Sequence, residues 1–167
     1  YISNNLIEQK YINELVLKDN KRIDLLEETF NHFKEKNNYI FFEGQIYDAY
    51  SLLIDILNKS KKDIIIIDNY AGKELLDILK DINKNITIIS KNITEELIKK
   101  YNKQYSNVSF INNNSFHDRF MIIDNEILYH CGSSFKDMGA KCFAINRIDD
   151  KELLNNIIKN LRINNES

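Results

Sequence analysis

The sequence predicts an α/β domain with a mixed, mostly parallel sheet flanked by helices and preceded by an N-terminal helical arm. Two features of the 167-residue chain support this prediction. Short apolar runs alternate with longer amphipathic segments, which is typical of buried parallel strands joined by helices. Ahead of them, apolar residues recur every three or four positions, as on a helix with one apolar stripe. We place the arm at residues 1–37, the domain at 38–163 and a polar tail at 164–167.

Residues 3 to about 36 are predicted to form one long helix. Its apolar stripe, which Asp19 interrupts, comprises Ile12, Val16, Ile23, Leu26, Phe30 and Phe33. A heptad-like stripe of this kind packs either on the helix's own domain or on a second copy of the helix. The second alternative makes the arm a dimerisation helix. His32 is predicted to be a surface residue of this helix.

The domain is predicted to begin with strands and helices in alternation. The strands are Tyr39–Glu43, Ile64–Ile67, Ile86–Ile89 and Val108–Ile111, and the helices between them are Ile46–Leu57, Lys73–Ile82 and one capped by Thr94. The pattern then changes, because three strands follow without long helices between them. These are Phe116–Ile123, Ile127–Cys131 and Lys141–Ile148, with a tight hairpin turn at Asp124, Asn125 and Glu126. A helix at Asp150–Ile163 ends the domain.

Composition narrows the classes of protein to consider. The formal net charge of -2 argues against binding to nucleic acid by bulk charge alone, although a local basic groove stays open. Cys131 and Cys142 lie in apolar contexts and are predicted to be buried, reduced thiols. Without a CxxC pair we expect no zinc, and we expect no other metal or cofactor. With no membrane-length apolar run and no signal peptide, we expect a cytoplasmic protein without a membrane partner.

One segment brings polar side chains to the start and end of a predicted strand. On a strand that begins at Phe116, His117 and Arg119 share one face because side chains alternate. Asp124 lies at the far end of that strand. Gly132, Ser133 and Ser134 follow the next strand, where backbone N–H groups can meet an anion. The segment is therefore a candidate anion site.

The pattern His117-x-Arg119-x4-Asp124 followed by Gly132-Ser133 resembles the H-x-K-x4-D-x6-G-S-x-N motif of the phospholipase D superfamily. The stretch from Tyr129 to Gly139 looks similar to phospholipase D-like domains at the C-terminal ends of phage-type DNA-binding regulators. The resemblance implies a phosphodiesterase that uses a histidine nucleophile and no metal. It implies that His117 is the nucleophile, that Arg119 binds phosphate oxygens and that Asp124 supports the site electrostatically. From the sequence alone, the alternative role for Asp124 is to cap a turn.

The resemblance also implies residues that contact the substrate. These are Ser133, Ser134 and, from the segment before the first domain helix, Glu43 and Gln45. The segment Asp68-Asn69-Tyr70 looks like family positions that line the site. His130 is interpreted as a core or edge histidine, with support for His117 as the alternative.

Three departures from the motif bear on catalysis more than on the fold. Arg119 replaces the usual Lys, which keeps the charge but changes its reach. The interval from Asp124 to Gly132 is one residue longer than usual. Phe135 stands at the position of the motif Asn, and we assign Lys136 as the residue that replaces its contact to phosphate.

The chain has one motif, whereas a complete site of this family needs two. Short family members solve this by pairing across a two-fold axis, so the resemblance implies a homodimer. Two functions follow. The first is a dimeric nuclease with nucleic acid as its partner. The second is an inactive dimerisation or anion-sensing module of a DNA-binding regulator. This alternative implies a DNA-binding domain ahead of Tyr1, and we interpret the chain, which does not begin with Met, as a fragment.

Overall fold

The computed structural model describes residues 2–33 and 37–163, with side chains described for residues 4–27 and 37–162. The chain divides into two compact units, residues 1–37 and residues 38–167. No described helix combines the length and the apolar character that crossing a membrane requires.

The first unit contains one long helix, α1 (Ile2–Phe33). The four described side chains of the predicted stripe, Ile12, Val16, Ile23 and Leu26, are each at least half exposed. Phe30, His32 and Phe33 have side chains outside the described set. Further exposed apolar side chains of α1 are Leu6, Ile7, Tyr11, Leu15, Leu17 and Leu25. The helix thus exposes more apolar surface than the predicted stripe alone.

The second unit is a seven-stranded sheet with helices on both faces. The strands are β1 (Asn38–Phe41), β2 (Asp63–Ile67), β3 (Asn85–Ser90), β4 (Val108–Asn112), β5 (Arg119–Ile123), β6 (Ile127–Cys131) and β7 (Phe143–Ile148). The helices are α2 (Ile46–Lys59), α3 (Lys73–Leu79), α4 (Glu95–Asn102) and α5 (Lys151–Ile163). The predicted cap of α4 is confirmed, because the Thr94 hydroxyl accepts a hydrogen bond from the Leu97 N–H.

The sheet is mixed, as predicted, but the prediction that it is mostly parallel is wrong. The strand order is β1-β7-β6-β5-β2-β3-β4. Within it, β2–β3 and β3–β4 pair in parallel, whereas β1–β7, β7–β6, β6–β5 and β5–β2 are antiparallel. The reason is that short connections after β4 lack crossover helices and so favour antiparallel neighbours. In addition, β1 pairs with β7 rather than with β2.

Two apolar layers hold the helices on the sheet. Along β2, Ile64 and Ile66 face the layer that contains α2, α3 and α4, whereas Ile67 faces the layer that contains α5. Since side chains alternate along a strand, β2 is buried on both faces, as its unbroken apolar run predicts.

The topology gathers several chain segments at one end of the strands, which we call the site edge. Here β2 ends, β5 begins, β6 ends and β7 begins. At the opposite end, Asp124 and Asn125 form the β5–β6 turn with φ values of 53° and 57°. The tight hairpin turn that the sequence predicts is therefore present. Positive φ at both central positions, with the Glu126 N–H donating to the Ile123 carbonyl, identifies it as type I′.

Candidate active site

Arg119 is the first residue of β5 and points its side chain toward a carboxylate at the site edge. Its Nε lies 4.0 Å from Asp68 Oδ1, and the Arg119 side chain is 24% exposed while that of Asp68 is fully buried. Along the sheet, Arg119 pairs with Cys131. Burial, with the Asp68 charge as a smaller cause, raises the pKa of the Cys131 thiol to about 12, so this thiol stays protonated at neutral pH.

Asp68 connects three segments of the site. Its Oδ1 accepts a hydrogen bond from the Tyr70 N–H at 2.9 Å. Its Oδ2 accepts from the Ser134 hydroxyl at 2.9 Å and from the Phe135 N–H at 3.0 Å. One buried carboxylate therefore fixes the turn after β2 and the loop after β6, and it also faces the Arg119 guanidinium.

A cavity of about 590 Å³ opens at this point. Its described lining consists of Tyr70, Arg119, Gly132, Ser133, Ser134, Asp137, Ala140, Lys141, Cys142 and Phe143. The cavity thus combines the predicted cation with the predicted serine loop. Fixed cations and hydroxyl donors at one wall are what an oxyanion of a phosphodiester requires.

The Arg119 guanidinium lies close to both Asp68 and Tyr70. Its buried Nε, 4.0 Å from Asp68 Oδ1, makes no hydrogen bond within the described part of the chain. The guanidinium carbon lies 5.9 Å from the centroid of the Tyr70 ring, which is within the range of a cation–π contact.

His117 lies at the site edge but not on β5. The strand begins at Arg119 rather than at Phe116, so the predicted alternation that placed His117 and Arg119 on one strand face does not apply. The Asn69 amide instead holds the bend by donating to the Phe116 carbonyl. His117 is exposed, and it is not among the described residues that line the cavity. The structure therefore places the predicted nucleophile two residues from Arg119 along the chain, in a solvent-exposed bend.

Asp124 is not brought to the cavity. It lies beyond the other end of β5, five residues and roughly 16 Å from Arg119 at about 3.3 Å per residue. Its carboxylate accepts hydrogen bonds from three consecutive N–H groups, those of Lys61, Lys62 and Asp63, and from the Ser60 hydroxyl. These bonds to the charged form hold the pKa of Asp124 well below its usual range, with the Lys61 N–H as the largest cause.

The other predicted contact residues divide between two places. Ser133 and Ser134 line the cavity, whereas Lys136, Glu43 and Gln45 are absent from its described lining. The Gln45 side chain forms its hydrogen bonds with nearby residues. Its Oε1 accepts from the Phe42 N–H at 2.8 Å, and its Nε2 donates to Asp48 at 3.3 Å. Glu43 is exposed in that turn.

Lys141 and Cys142 line the cavity although sequence reasoning did not select them as site residues. The prediction that Cys142 is buried is wrong, since it is exposed in the loop before β7, while Cys131 is buried as predicted. The signal for both was topological, because the start of an antiparallel β7 meets the end of β6. The predicted, mostly parallel sheet did not place the start of β7 beside the end of β6.

His130 lies half-buried on the other face of the sheet from Arg119. Its Nε2 is 3.8 Å from Asp118 Oδ2, and its ring meets the Phe120 ring edge-on at 5.5 Å between centroids. Among the described residues, no group of three or more His, Cys, Asp or Glu side chains is placed to hold a metal ion.

Comparison with known proteins supports the fold. No protein-family model matches the sequence, and no curated protein sequence is significantly similar to it. Among solved structures, NucT from Helicobacter pylori has a TM-score of 0.56 at 15% identity, covering 78% of this chain and 96% of NucT. Nuc from Salmonella typhimurium, a phospholipase D family member, has a TM-score of 0.54 at 14% identity, covering 75% of this chain and 91% of Nuc.

A larger protein shares the same architecture. Polyphosphate kinase from Porphyromonas gingivalis has a TM-score of 0.54 at 11% identity, covering 78% of this chain and 24% of the kinase. At such identities the likeness concerns the fold alone. The prediction from the motif is confirmed at the level of the fold: the domain has a phospholipase D-like fold.

Proposed function

We propose that the domain is a phosphodiesterase, specifically a metal-independent nuclease that works as a homodimer with His117 as its nucleophile. The observation that carries the proposal is the cavity lined by Arg119, Ser133 and Ser134, with the buried Asp68 carboxylate 4.0 Å from Arg119 and hydrogen-bonded to Ser134. A phosphodiester bound there has one oxygen on the guanidinium and another on the serine loop. Fixed donors at these positions stabilise charge on the phosphoryl oxygens during transfer.

The proposed reaction has two steps. A ring nitrogen of His117 attacks phosphorus, and the bond to the leaving oxygen breaks as that oxygen takes a proton from a second His117. Water then attacks the phosphohistidine, gives its proton to the second His117, and releases the phosphate monoester. A second His117 is needed because the chain contains one motif.

Pairing of two chains supplies that second histidine. A two-fold contact is self-complementary, so the same edge of each domain meets its copy. The exposed stripe of α1, at Ile12, Val16, Ile23 and Leu26, supports self-association, because water-exposed apolar side chains gain by packing on a second helix. Light scattering should give the mass of a dimer, and Val16→Glu with Ile23→Glu should shift it toward monomer.

The test of activity is cleavage of single-stranded DNA and RNA in EDTA by the wild type and by His117→Ala. Wild-type cleavage that is lost in the variant supports the proposal. Co-refolded mixtures of the two chains sharpen it, since activity should fall with the square of the wild-type fraction if each site uses two copies of His117. A linear fall would show that one chain suffices, and cleavage that survives His117→Ala would exclude His117 as nucleophile.

A second function is favoured by a specific observation. Phe135, at the position of the motif Asn, is buried, and His117 is absent from the described cavity lining. Both features suit a non-catalytic module of a DNA-binding regulator that retains the anion site for dimerisation or sensing. This function predicts binding of inorganic phosphate that Arg119→Ala abolishes, with no cleavage of any nucleic acid by the wild type.

A further inference from the structure

The cavity is longer than a single phosphate requires. It runs from Tyr70, after β2, to Lys141, before β7, and β5 and β6 lie between these strands. Three strand spacings of about 4.8 Å make this distance roughly 14 Å. Its volume of about 590 Å³ falls in the range of sites that enclose drug-sized ligands, roughly 300–1,000 Å³. Chemical groups on both sides of a bound phosphate therefore have room inside it.

Tyr70 provides a flat apolar surface at one end of this cavity. Tyr70 as a whole residue is 54% exposed, and it lines the cavity. Its backbone is held by the 2.9 Å hydrogen bond from its N–H to Asp68, the carboxylate that also faces Arg119. The ring is therefore placed on a fixed turn, 5.9 Å from the cation that marks the phosphate position.

We propose that Tyr70 is a stacking platform for a base of single-stranded nucleic acid, whose adjoining phosphate binds Arg119 and Ser133. The strand continues toward Lys141, which neutralises the next phosphate. This inference rests on the proposed binding of a phosphodiester at Arg119. An aromatic ring beside a cationic groove is the usual means of holding unpaired bases without regard to sequence. A duplex keeps its bases stacked on one another, so its bases cannot reach Tyr70 without flipping.

A simpler role for Tyr70 is to cover the Arg119 guanidinium through the cation–π contact. The two roles differ in their ligand, because covering Arg119 affects every phosphate, whereas stacking affects only strands that carry bases. An abasic oligonucleotide of equal length and charge separates them.

The experiment measures fluorescence anisotropy of a labelled 12-nucleotide oligothymidine and of the matched abasic strand, in a His117→Ala background that prevents turnover. Tyr70→Ala should weaken binding of the oligothymidine roughly 5- to 150-fold, the range for loss of one stacked base, and leave the abasic strand unchanged. Tyr70→Phe keeps the ring and should bind both strands as the parent does. Equal weakening of both strands by Tyr70→Ala, or weakening of neither, overturns the proposal.

Failure of this inference is distinguishable from failure of the proposed function. Cleavage by the wild type together with equal effects of Tyr70→Ala on both strands removes the platform and leaves the nuclease. Base-dependent loss of binding in a chain that never cleaves leaves the platform and removes the nuclease.

Discussion

A carboxylate that accepts several hydrogen bonds lies at each end of β5, but only one of the two ends adjoins the cavity. At the site edge, Asp68 accepts three hydrogen bonds and faces Arg119 across 4.0 Å, next to an open cavity. At the other end, Asp124 accepts four hydrogen bonds, three from the turn that precedes β2 and one from the N–H of Asp63, the first residue of β2. Under the proposed function, the motif thus contributes a binding end at Arg119 and a framework end at Asp124. Motif membership alone does not place a residue at the cavity.

The largest effect is expected from Asp68→Ala. It leaves the Arg119 charge and the Phe135 N–H without their buried partner, and breaking such a pair costs about 3–5 kcal/mol of the free energy of unfolding. Urea denaturation followed by circular dichroism measures this loss. Asp68→Asn is the control, since it keeps the volume and part of the hydrogen bonding and should lose less. Equal stability of Asp68→Ala and the wild type would contradict the assignment.

Asp124→Ala should destabilise the fold less, by about 2 kcal/mol, because hydrogen bonds to a partly exposed charged group are individually worth less than a buried pair. Its affinity for inorganic phosphate, measured by calorimetry on the folded variant, should match that of the wild type. A loss of phosphate affinity in Asp124→Ala would show that Asp124 contributes to binding. It would remove the distinction between the two ends of β5.

The pH dependence of the free energy of unfolding should show the contribution of the charged Asp124 carboxylate. Its folded pKa is depressed below the unfolded value, so its contribution is fully present above the unfolded pKa near 3.9 and is lost as the pH falls toward the lower folded pKa. Asp124→Asn should therefore show a shallower decline of stability below about pH 5 than the wild type does. Parallel declines in the two proteins would show that the four hydrogen bonds do not stabilise the charged form.

The smallest expected effect is on phosphate affinity, and it distinguishes Lys141 from Lys136. Lys141 lines the cavity and Lys136 does not belong to its described lining. Lys141→Ala should weaken phosphate binding about two- to fivefold at low salt, the size of an exposed ion pair, whereas Lys136→Ala should leave it unchanged. The reverse result would restore Lys136 as the residue that replaces the motif Asn.

Much of the fold was readable from local pattern. Buried runs such as Ile64–Ile67 and the Thr94 cap are local signals, and the strand and helix they predict are present. Strand order was not readable, because the pairing of β1 with β7 and of β2 with β5 depends on contacts between residues distant in the chain. That order is what places Lys141 and Cys142 at the cavity.

For the site, Arg119, Ser133 and Ser134, which the motif selected, line one cavity because they flank strand ends within one hairpin. Their roles in binding stay predictions. The predicted roles of Glu43 and Gln45 depended on the family resemblance of the segment before α2. In the structure, the Gln45 side chain forms its hydrogen bonds with nearby residues, Phe42 and Asp48. The catalytic roles of His117, Arg119 and Asp124 stay predictions that the experiments above address.

The most direct test of the account is a crystal structure of the domain with tungstate, an oxyanion that stands in for phosphate and is visible by its anomalous scattering. We predict tungstate in the cavity with oxygens on the Arg119 guanidinium and the Ser133 hydroxyl, absent in crystals of Arg119→Ala. Tungstate bound elsewhere, or bound equally in Arg119→Ala, would contradict the claim that the site edge of β5 is a phosphodiester site.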